Sequence, residues 1–525
     1  MTDALVGEKR NAHDPRSPSP DSTMEEGVEE LGNAKEPGSS TKRSHGRPRP
    51  KPERTKDKES KKDGRHRRRQ LPNEEDANKV DEATGQEEGP KPPRYPKRQC
   101  ALLVGFCGSG YSGMQMYGHT RTIEGALFGA LVKVGAVSQD NADDPVKVAL
   151  ARAARTDAGV HAAGNLVSLK MIITVPGIKD LVARINEELP PEIRLWGYVR
   201  TQNSFNARLV CDSRKYTYFF PTYLMIPPKP GTGLHRVLQL PSQPHSFWEG
   251  AISDSFQDDL RRKRCWRTGQ EQVQKLRELA KGYEGTHNFH NFTVGREFKE
   301  RSNHRFMKQI EVSDPVVYGD TEWISVMFHG QSFMLHQVRR LMMSMLVMTC
   351  RTETSPQIID ELYGPRNVFV PKMPSLGLLL EHPLFHSYNG RMAVINEKLQ
   401  PSDAEYRPLI DFELHREKID AFKEEYIYKN MREVEGRDGL FDAWIRAVDS
   451  YAGDDLLYLN REGIIPLAAV IKKGERRENP FREKKIFDAT SFPVADEVKK
   501  QLEEQGEAED EDLVVDKGQL AEMEG

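Results

Sequence analysis

Arg155, Thr156 and Asp157 stand at the centre of the stretch Ala151 to Lys170, ARAARTDAGVHAAGNLVSLK, a polar Gly-containing turn between two apolar runs. A carboxylate that closely follows a guanidinium, on a turn that ends one strand and begins another, suits chemistry in which an acid must stay ionised and point into a cleft. The same composition suits a plain hairpin whose Asp bonds its own turn backbone. Further along, Tyr216 and Tyr218 alternate within KYTYFFPTY, so both rings share one face of a strand, as a stacking platform or as core. Arg339 lies beside Val338 in the Met- and Leu-rich run Ser332 to Cys350, where a cation is either a solvent-facing helix residue or the partner of an acid. His287 and His290 have i, i+3 spacing without an acid or cysteine cluster around them, so metal binding is not expected there.

The elements that must position these residues alternate in a regular way. CALLVGF predicts a buried strand, and GSGYSG after it a flexible turn. Ile123, Ala126, Leu127, Ala130, Leu131 and Val134 recur at helical spacing behind Thr122. VKVALARAA predicts a strand into the RTD turn, and NLVSLKMII the strand that leaves it. A second helix carries Leu181, Val182, Ile185 and Leu189, stops at Pro190 and Pro191, and is followed by the strand IRLWGYVRT. Strand, helix, strand, strand, helix, strand is the order of a ferredoxin-like unit.

The order then repeats. KYTYFFPTY is a strand, Val273, Leu276, Leu279, Ala280 and Tyr283 mark a helix, FMKQIEV and WISVMFH are strands, Ser332 to Cys350 is a helix, and GLLLEHPLF closes the series. The expected fold is α+β: two tandem ferredoxin-like (βαββαβ) halves, residues 95–205 and 206–390, forming a central antiparallel sheet with a cleft. An insertion loop is expected at about 226–269. Residues 391–491 read as a helical extension with apolar stripes at Phe412, Ile419, Phe422 and Tyr426 and at Phe441, Trp444, Ile445 and Val448, which pack on the sheet unit and turn Lys and Arg outward.

Within 525 residues of net charge -3, the charge is unevenly spread. Thr41 to Gln70 holds 14 Lys or Arg against 4 acids, and Gln501 to Gly525 holds 10 acids against Lys517 alone. Residues 1–94 and 492–525 lack the apolar content to offset their ordering entropy and are expected to be disordered, the first basic and the second acidic. The basic run at 42–69 predicts contact with a nuclear import receptor, an auxiliary nucleic-acid contact or a solvated linker. Five widely spaced cysteines with no C-x-x-C pair predict reduced thiols in an intracellular compartment rather than disulfides or a Cys-rich zinc site. No apolar run reaches membrane-spanning length, and a soluble protein is expected.

Seven motifs, in order, carry a resemblance: GYSGMQ (Gly110 to Gln115), TIEGALF (Thr122 to Phe128), ARTDAGVHAAGN (Ala154 to Asn165), FNARLVCDSRKYTY (Phe205 to Tyr218), GTHNFHNF (Gly285 to Phe292), HQVRRLM (His336 to Met342) and PSLGLLLE (Pro374 to Glu381). In these the chain resembles the TruA family of pseudouridine synthases, most closely its eukaryotic nuclear, multisite branch, over about Cys100 to Tyr388. The resemblance implies that Asp157 is the catalytic aspartate of a reaction that detaches uracil from ribose, rotates it and rejoins it through C5. That chemistry needs no cofactor and no metal. An ionised carboxylate serves it either by covalent attack on sugar or base or as a base at the sugar.

By the same resemblance Arg339 holds Asp157 from the second half, Tyr216 is the platform for the flipped base, and Leu378 packs on the other side, with Gly377 allowing close approach. Arg155, a planar cation beside the turn, is expected to occupy the gap left when a stem nucleotide is flipped. Arg208, Arg214, Arg340 and His161 are expected to contact RNA or to serve local structure. The implied partners are tRNA in and around the anticodon stem-loop, with small nuclear and messenger RNA as further targets. The implied compartment is the nucleus and the implied state a monomer. Two readings compete: a sister synthase specialised for the base of the anticodon stem, and a non-catalytic RNA-binding protein of two RRM-shaped units. The absence of an RNP-type aromatic run counts against the second.

Overall fold

A computed structural model describes residues 95–117, 120–240, 245–249 and 255–475. The expected disordered tails, the basic run at 42–69 and the acidic segment from 492 lie outside the described residues.

Among the described residues ten strands form one sheet: β1 Lys97–Phe106, β2 Ala151–Arg152, β3 His161–Ile172, β4 Ile193–Arg200, β5 Ser213–Pro221, β6 Gly285–Asn288, β7 His304–Val312, β8 Val316–Tyr318, β9 Thr321–Gly330 and β10 Leu378–Leu384. Their order is β4-β1-β3-β10-β5-β9-β7-β6, with β2 beside β3 and β8 beside β9. Every pairing is antiparallel except one. Strand β10 joins β3 in parallel, with Leu379 opposite His161 and Leu380 opposite Ala162. The expectation of a purely antiparallel sheet is therefore corrected at its centre. Because β3 and β10 run the same way, the turn that precedes β3 and the Pro374–Gly377 segment that precedes β10 come to the same end of the sheet.

The local reasons for these elements are mostly those expected. The core strand β1 is buried from Gln99 onward. The helix Ile123–Lys133 starts where Thr122 Oγ1 accepts a hydrogen bond from the Gly125 amide, and it buries Ile123, Leu127, Ala130 and Leu131. The helix Leu181–Glu188 is capped by Asp180 in the same way.

Three segments differ from expectation. VKVALARAA is not one strand: Asp144 and Pro145 open a 3-10 turn, Ala149 takes φ 53°, and only Ala151–Arg152 pairs with β3. Proline has no N–H for a ladder and a left-handed residue cannot continue one. The insertion at 226–269 contains helices, Gly233–Val237 and Phe256–Cys265, with a 3-10 turn at Ser246–Trp248. The helix expected from Ser332 begins only at Gln337, as a π-turn to Met342 that continues as the α-helix Met343–Arg351, because His336 has φ 59° and interrupts helical backbone.

The C-terminal helices belong to the same core. Arg416–Phe422, a π-turn at Lys423–Tyr428 and Lys429–Asp438 run on without a break until Gly439, at φ 56°, and Leu440–Ser450 follows. Phe412 fills the space over Gly164, where a Cβ would lie 2.7 Å from its ring. Phe422 packs edge-on against Trp196 of β4 at 5.3 Å, Tyr428 against Phe219 of β5 at 5.1 Å, and Lys423 pairs with Glu381 of β10 at 2.8 Å. Phe441 contacts Tyr218, and Asp442 pairs with Lys263 of the insertion at 2.8 Å, both groups buried. Among the described residues no helix is long and apolar enough to cross a membrane.

Candidate active site

The backbone of the RTD turn is tied from several directions. The Met114 amide donates to Thr156 O at 3.1 Å, the Gly159 amide to Tyr111 O at 3.2 Å, and Asn165 Nδ2 to Ala154 O at 2.9 Å. Arg214 donates through Nε and Nη2 to Ala153 O at 3.2 and 2.8 Å, and through Nη1 to Gln331 O at 2.9 Å. Gly113, at φ +93°, lies so close that a Cβ would sit 2.8 Å from Thr156 O. GYSGMQ is thus a brace against the turn, and its second glycine is required both by conformation and by space. A turn held at successive carbonyls by β5, β3 and this loop presents Asp157 in one direction.

Glu124, in TIEGALF, is a further support that sequence reasoning did not single out. Its carboxylate is 1% exposed, accepts from the Met116 amide at 3.0 Å and pairs with Arg152 at the start of the turn segment. Burial raises its pKa, while Arg152 and, less strongly, Arg155 oppose that rise. An acid in the first turn of an apolar helix reads as a dipole-stabilising surface residue. Its burial depends on chain 28 residues away, and nothing local announces it.

Asp157 is 19% exposed, and its Oδ2 lies 2.8 Å from His336 Nδ1. The residues expected from the HQVRR motif were Arg339 and Arg340, whose side chains lie outside the described residues; the described partner from that motif is His336. Arg155 and Arg208 are half-buried, and the Arg208 amide donates to Asn206 Oδ1 at 3.0 Å.

Tyr216 lies opposite Leu380 of β10 and Phe328 of β9, is 8% exposed, and meets the Phe333 ring edge-on at 5.1 Å. Burial raises its phenol well above the ordinary value; the Arg214 charge opposes this, and the Asp157 charge adds to it. A phenol held protonated offers a ring face or a proton, not a phenolate base. Tyr218 is core, fully buried, with its hydroxyl donating to Pro374 O at 2.6 Å. Leu378 is 6% exposed and lies opposite Tyr218. A Cβ on Gly377 would lie 2.1 Å from Phe219 O and 3.0 Å from the Tyr218 ring. The glycine is therefore needed for the close approach of this segment to β5.

Of the two alternatives expected for Arg214 and His161, RNA contact or local structure, their bonds are those of the second. Arg214 is 4% exposed and spends its donors on the backbone carbonyls of Ala153 and Gln331, so it has no fork to offer a phosphate. His161 is fully buried: its Nδ1 accepts from the Gly108 amide at 3.1 Å, and its Nε2 donates to Leu376 O at 3.2 Å. It fastens the strand after the turn to the segment before β10. His287 and His290 also have structural places, His287 stacked on Tyr363 at 4.2 Å and His290 edge-on to Phe298 at 5.2 Å.

Burial pushes the His161 imidazole down to about 4, with the Leu376 hydrogen bond opposing. The unfolded chain, with a histidine near pH 6.5, binds that proton first as pH falls. Stability from this residue is complete above about pH 6.5 and is lost toward pH 4, by about 3 kcal/mol in all. Urea unfolding across that window should show His161→Gln losing much less stability with acid than the wild type. Equal slopes would assign the acid sensitivity to other groups.

The chain is similar to known proteins along most of the described residues. A family described as tRNA pseudouridine synthase matches residues 279–386. The chain is 42% identical over 411 residues to tRNA pseudouridine synthase 1 of Candida glabrata, covering 69% of this chain and 72% of that protein. It is 39% identical over 411 residues to tRNA pseudouridine synthase 1 of Saccharomyces cerevisiae, covering 69% and 73%. It is also 37% identical over 342 residues to the tRNA pseudouridine(27/28) synthase of Saccharomyces cerevisiae, covering 58% and 88%. The chain belongs to the TruA family of tRNA pseudouridine synthases. It is an isomerase that acts on uridines of tRNA.

Proposed function

We propose that this synthase modifies uridines in and around the anticodon stem-loop of tRNA, with small nuclear and messenger RNA as further substrates, and that Asp157 is its working carboxylate. The observation that carries this is the placement of Asp157: a partly exposed acid on a backbone-braced turn, bonded by a side chain from the far side of the sheet's centre. In the reaction the N1–C1′ bond breaks and a C5–C1′ bond forms. N1 takes up a proton, and C5 releases one to solvent. Asp157 acts at the ribose either as nucleophile, leaving an ester that the rotated base displaces, or as base. Both routes require the ionised form. Tyr216, kept neutral, supplies the surface against which the base turns.

The anticodon region is favoured by the match to a relative whose name specifies positions 27 and 28. We also read the sheet as two ferredoxin-like units. The repeated order supports this: β4-β1-β3 with β2 beside β3, and β10-β5-β9-β7. The site then lies where one unit meets the other.

Site-resolved pseudouridine mapping of tRNA, small nuclear RNA and messenger RNA incubated with the protein tests the reading. New pseudouridines within the anticodon stem-loop are expected, and modification confined to other parts of tRNA would overturn the assigned region. In the same assay Arg155→Ala should lower modification within stems by roughly tenfold or more and on a short single strand far less, since only the stem requires unpairing and unstacking. Equal losses on both substrates would remove the flipping role.

A further inference from the structure

His336 occupies backbone that a residue with a Cβ adopts at a cost. Its φ is 59° and ψ 6°. Such strain persists only where the surroundings over-determine it. Here both neighbours are fastened. Leu335 O accepts from Thr293 Oγ1 at 3.0 Å, and Gln337, 1% exposed, accepts through Oε1 from the Met334 amide at 2.9 Å. The π-turn that follows is held at its far end by Tyr283, whose hydroxyl donates to Met342 O at 3.1 Å. A helical or extended residue at 336 would carry the imidazole away from the RTD turn. With left-handed backbone, its Nδ1 lies 2.8 Å from Asp157 Oδ2. A carboxylate is an acceptor only, so Nδ1 bears the proton in this contact.

We propose that His336 is a positioning residue for the reaction: its Nδ1–H engages one carboxylate oxygen of Asp157 and so sets the direction from which the carboxylate meets the ribose. This rests on the reading of Asp157 as the working carboxylate. The residue acts through Asp157 and need not touch RNA. Thr293 belongs to the stretch that begins GTHNFHNF and secures the histidine from behind, so that motif and HQVRR serve one purpose, the aim of an acid carried by a third.

The test uses the full chain and a tRNA transcript with uridine tritiated at C5, read as single-turnover tritium release, with RNA affinity by filter binding and melting temperature alongside. His336→Gly allows the backbone conformation and removes the donor. His336→Asn tolerates the same conformation and returns an N–H at nearly the same reach. Loss of one charge-assisted hydrogen bond predicts a rate roughly 10- to 100-fold lower for His336→Gly, and His336→Asn should return it to within about fivefold of wild type. RNA affinity and melting temperature should be nearly unchanged in both. A residue with only a structural role would lower all three readouts together and would not be rescued by a donor.

A wild-type rate in His336→Gly, or equal slowness of both variants at unchanged affinity and melting temperature, overturns the proposal. If His336→Gly does not fold, His336→Asn against His336→Asp decides, since both tolerate the backbone and only Asn can donate. Equal rates would overturn the proposal, and a slower Asp variant supports it. Asp157→Asn in the same assay separates the two levels. Wild-type release there refutes the reading of Asp157 itself, whereas an inactive Asp157→Asn beside a fully active His336→Gly refutes only the role of His336.

Discussion

Asp157→Asn should reduce pseudouridine formation on the order of 10⁴-fold while leaving tRNA affinity within about threefold, a loss of the size seen when a key carboxylate is removed from an enzyme that otherwise stays intact. The substitution keeps the shape of the side chain and removes its charge. Among the described residues, the backbone bonds that brace the turn do not end on that carboxylate. The bonds from Met114, Asn165 and Arg214 end on the carbonyls of Thr156, Ala154 and Ala153, and the Gly159 amide donates to Tyr111 O. His336 Nδ1–H can still donate to an amide oxygen. The folded site should therefore survive, and the change should fall on the chemical step, measured as tritium release at saturating RNA. A residual rate above about one hundredth of wild type would be too high for loss of the acting nucleophile or base, whose contribution is at least that large.

The second large effect is on stability. Arg351→Ala should cost about 3–5 kcal/mol, because it leaves a carboxylate buried without its partner. Arg351 ends the helix that follows the HQVRR π-turn and is 3% exposed. It makes a two-pronged contact with Asp449 of the helix Leu440–Ser450, at 2.5 and 3.0 Å, and its Nε donates to Ile226 O at 3.0 Å. Three parts of the chain remote in sequence meet there: the start of the insertion, the core helix and the C-terminal extension. Replacing both members, as Arg351→Met with Asp449→Leu, should be far milder, since paired apolar groups carry no desolvation penalty. Urea unfolding followed by tryptophan fluorescence would measure both. A single substitution within about 1 kcal/mol of wild type would place this pair among the weak surface type.

These two effects differ in how legible they were from sequence. The RTD turn announces itself through an acid, an arginine and glycines between two apolar runs, and β1 and the helix behind Thr122 follow from local pattern alone. Arg214 and His161 could not be read that way. A cation beside Lys215 on a strand looks solvent-facing, and only the return of Ala153 and Gln331, far along the chain, gives it buried carbonyls. His161 looks like a reactive group near a catalytic turn, yet its two ring nitrogens are used by Gly108 and Leu376, which come together only when β10 joins β3. His336 stands inside the HQVRR motif, but its place depends on a positive φ, which a histidine in sequence does not by itself announce. The break in the strand expected at VKVALARAA escaped because one left-handed alanine interrupts an otherwise β-like run and leaves only Ala151–Arg152 paired. What was missed is consistently what depends on distant backbone.

The parallel junction between β3 and β10 rests on two residue pairs, whereas β1 and β3 are zipped along most of their length. Left to itself so short a hem would be the crease along which the sheet folds. The chain lays a rigid batten across it. From Phe412 over Gly164, through Phe422 on Trp196 and Lys423 on Glu381, to Tyr428 on Phe219, the C-terminal helix grips strands on both sides of the crease. Flexing the sheet there would part aromatic contacts and a half-buried ion pair at once. The two strands that bring the RTD turn and the Pro374–Gly377 segment to one end of the sheet are thus clasped together by side chains on the face of β5 opposite Tyr216.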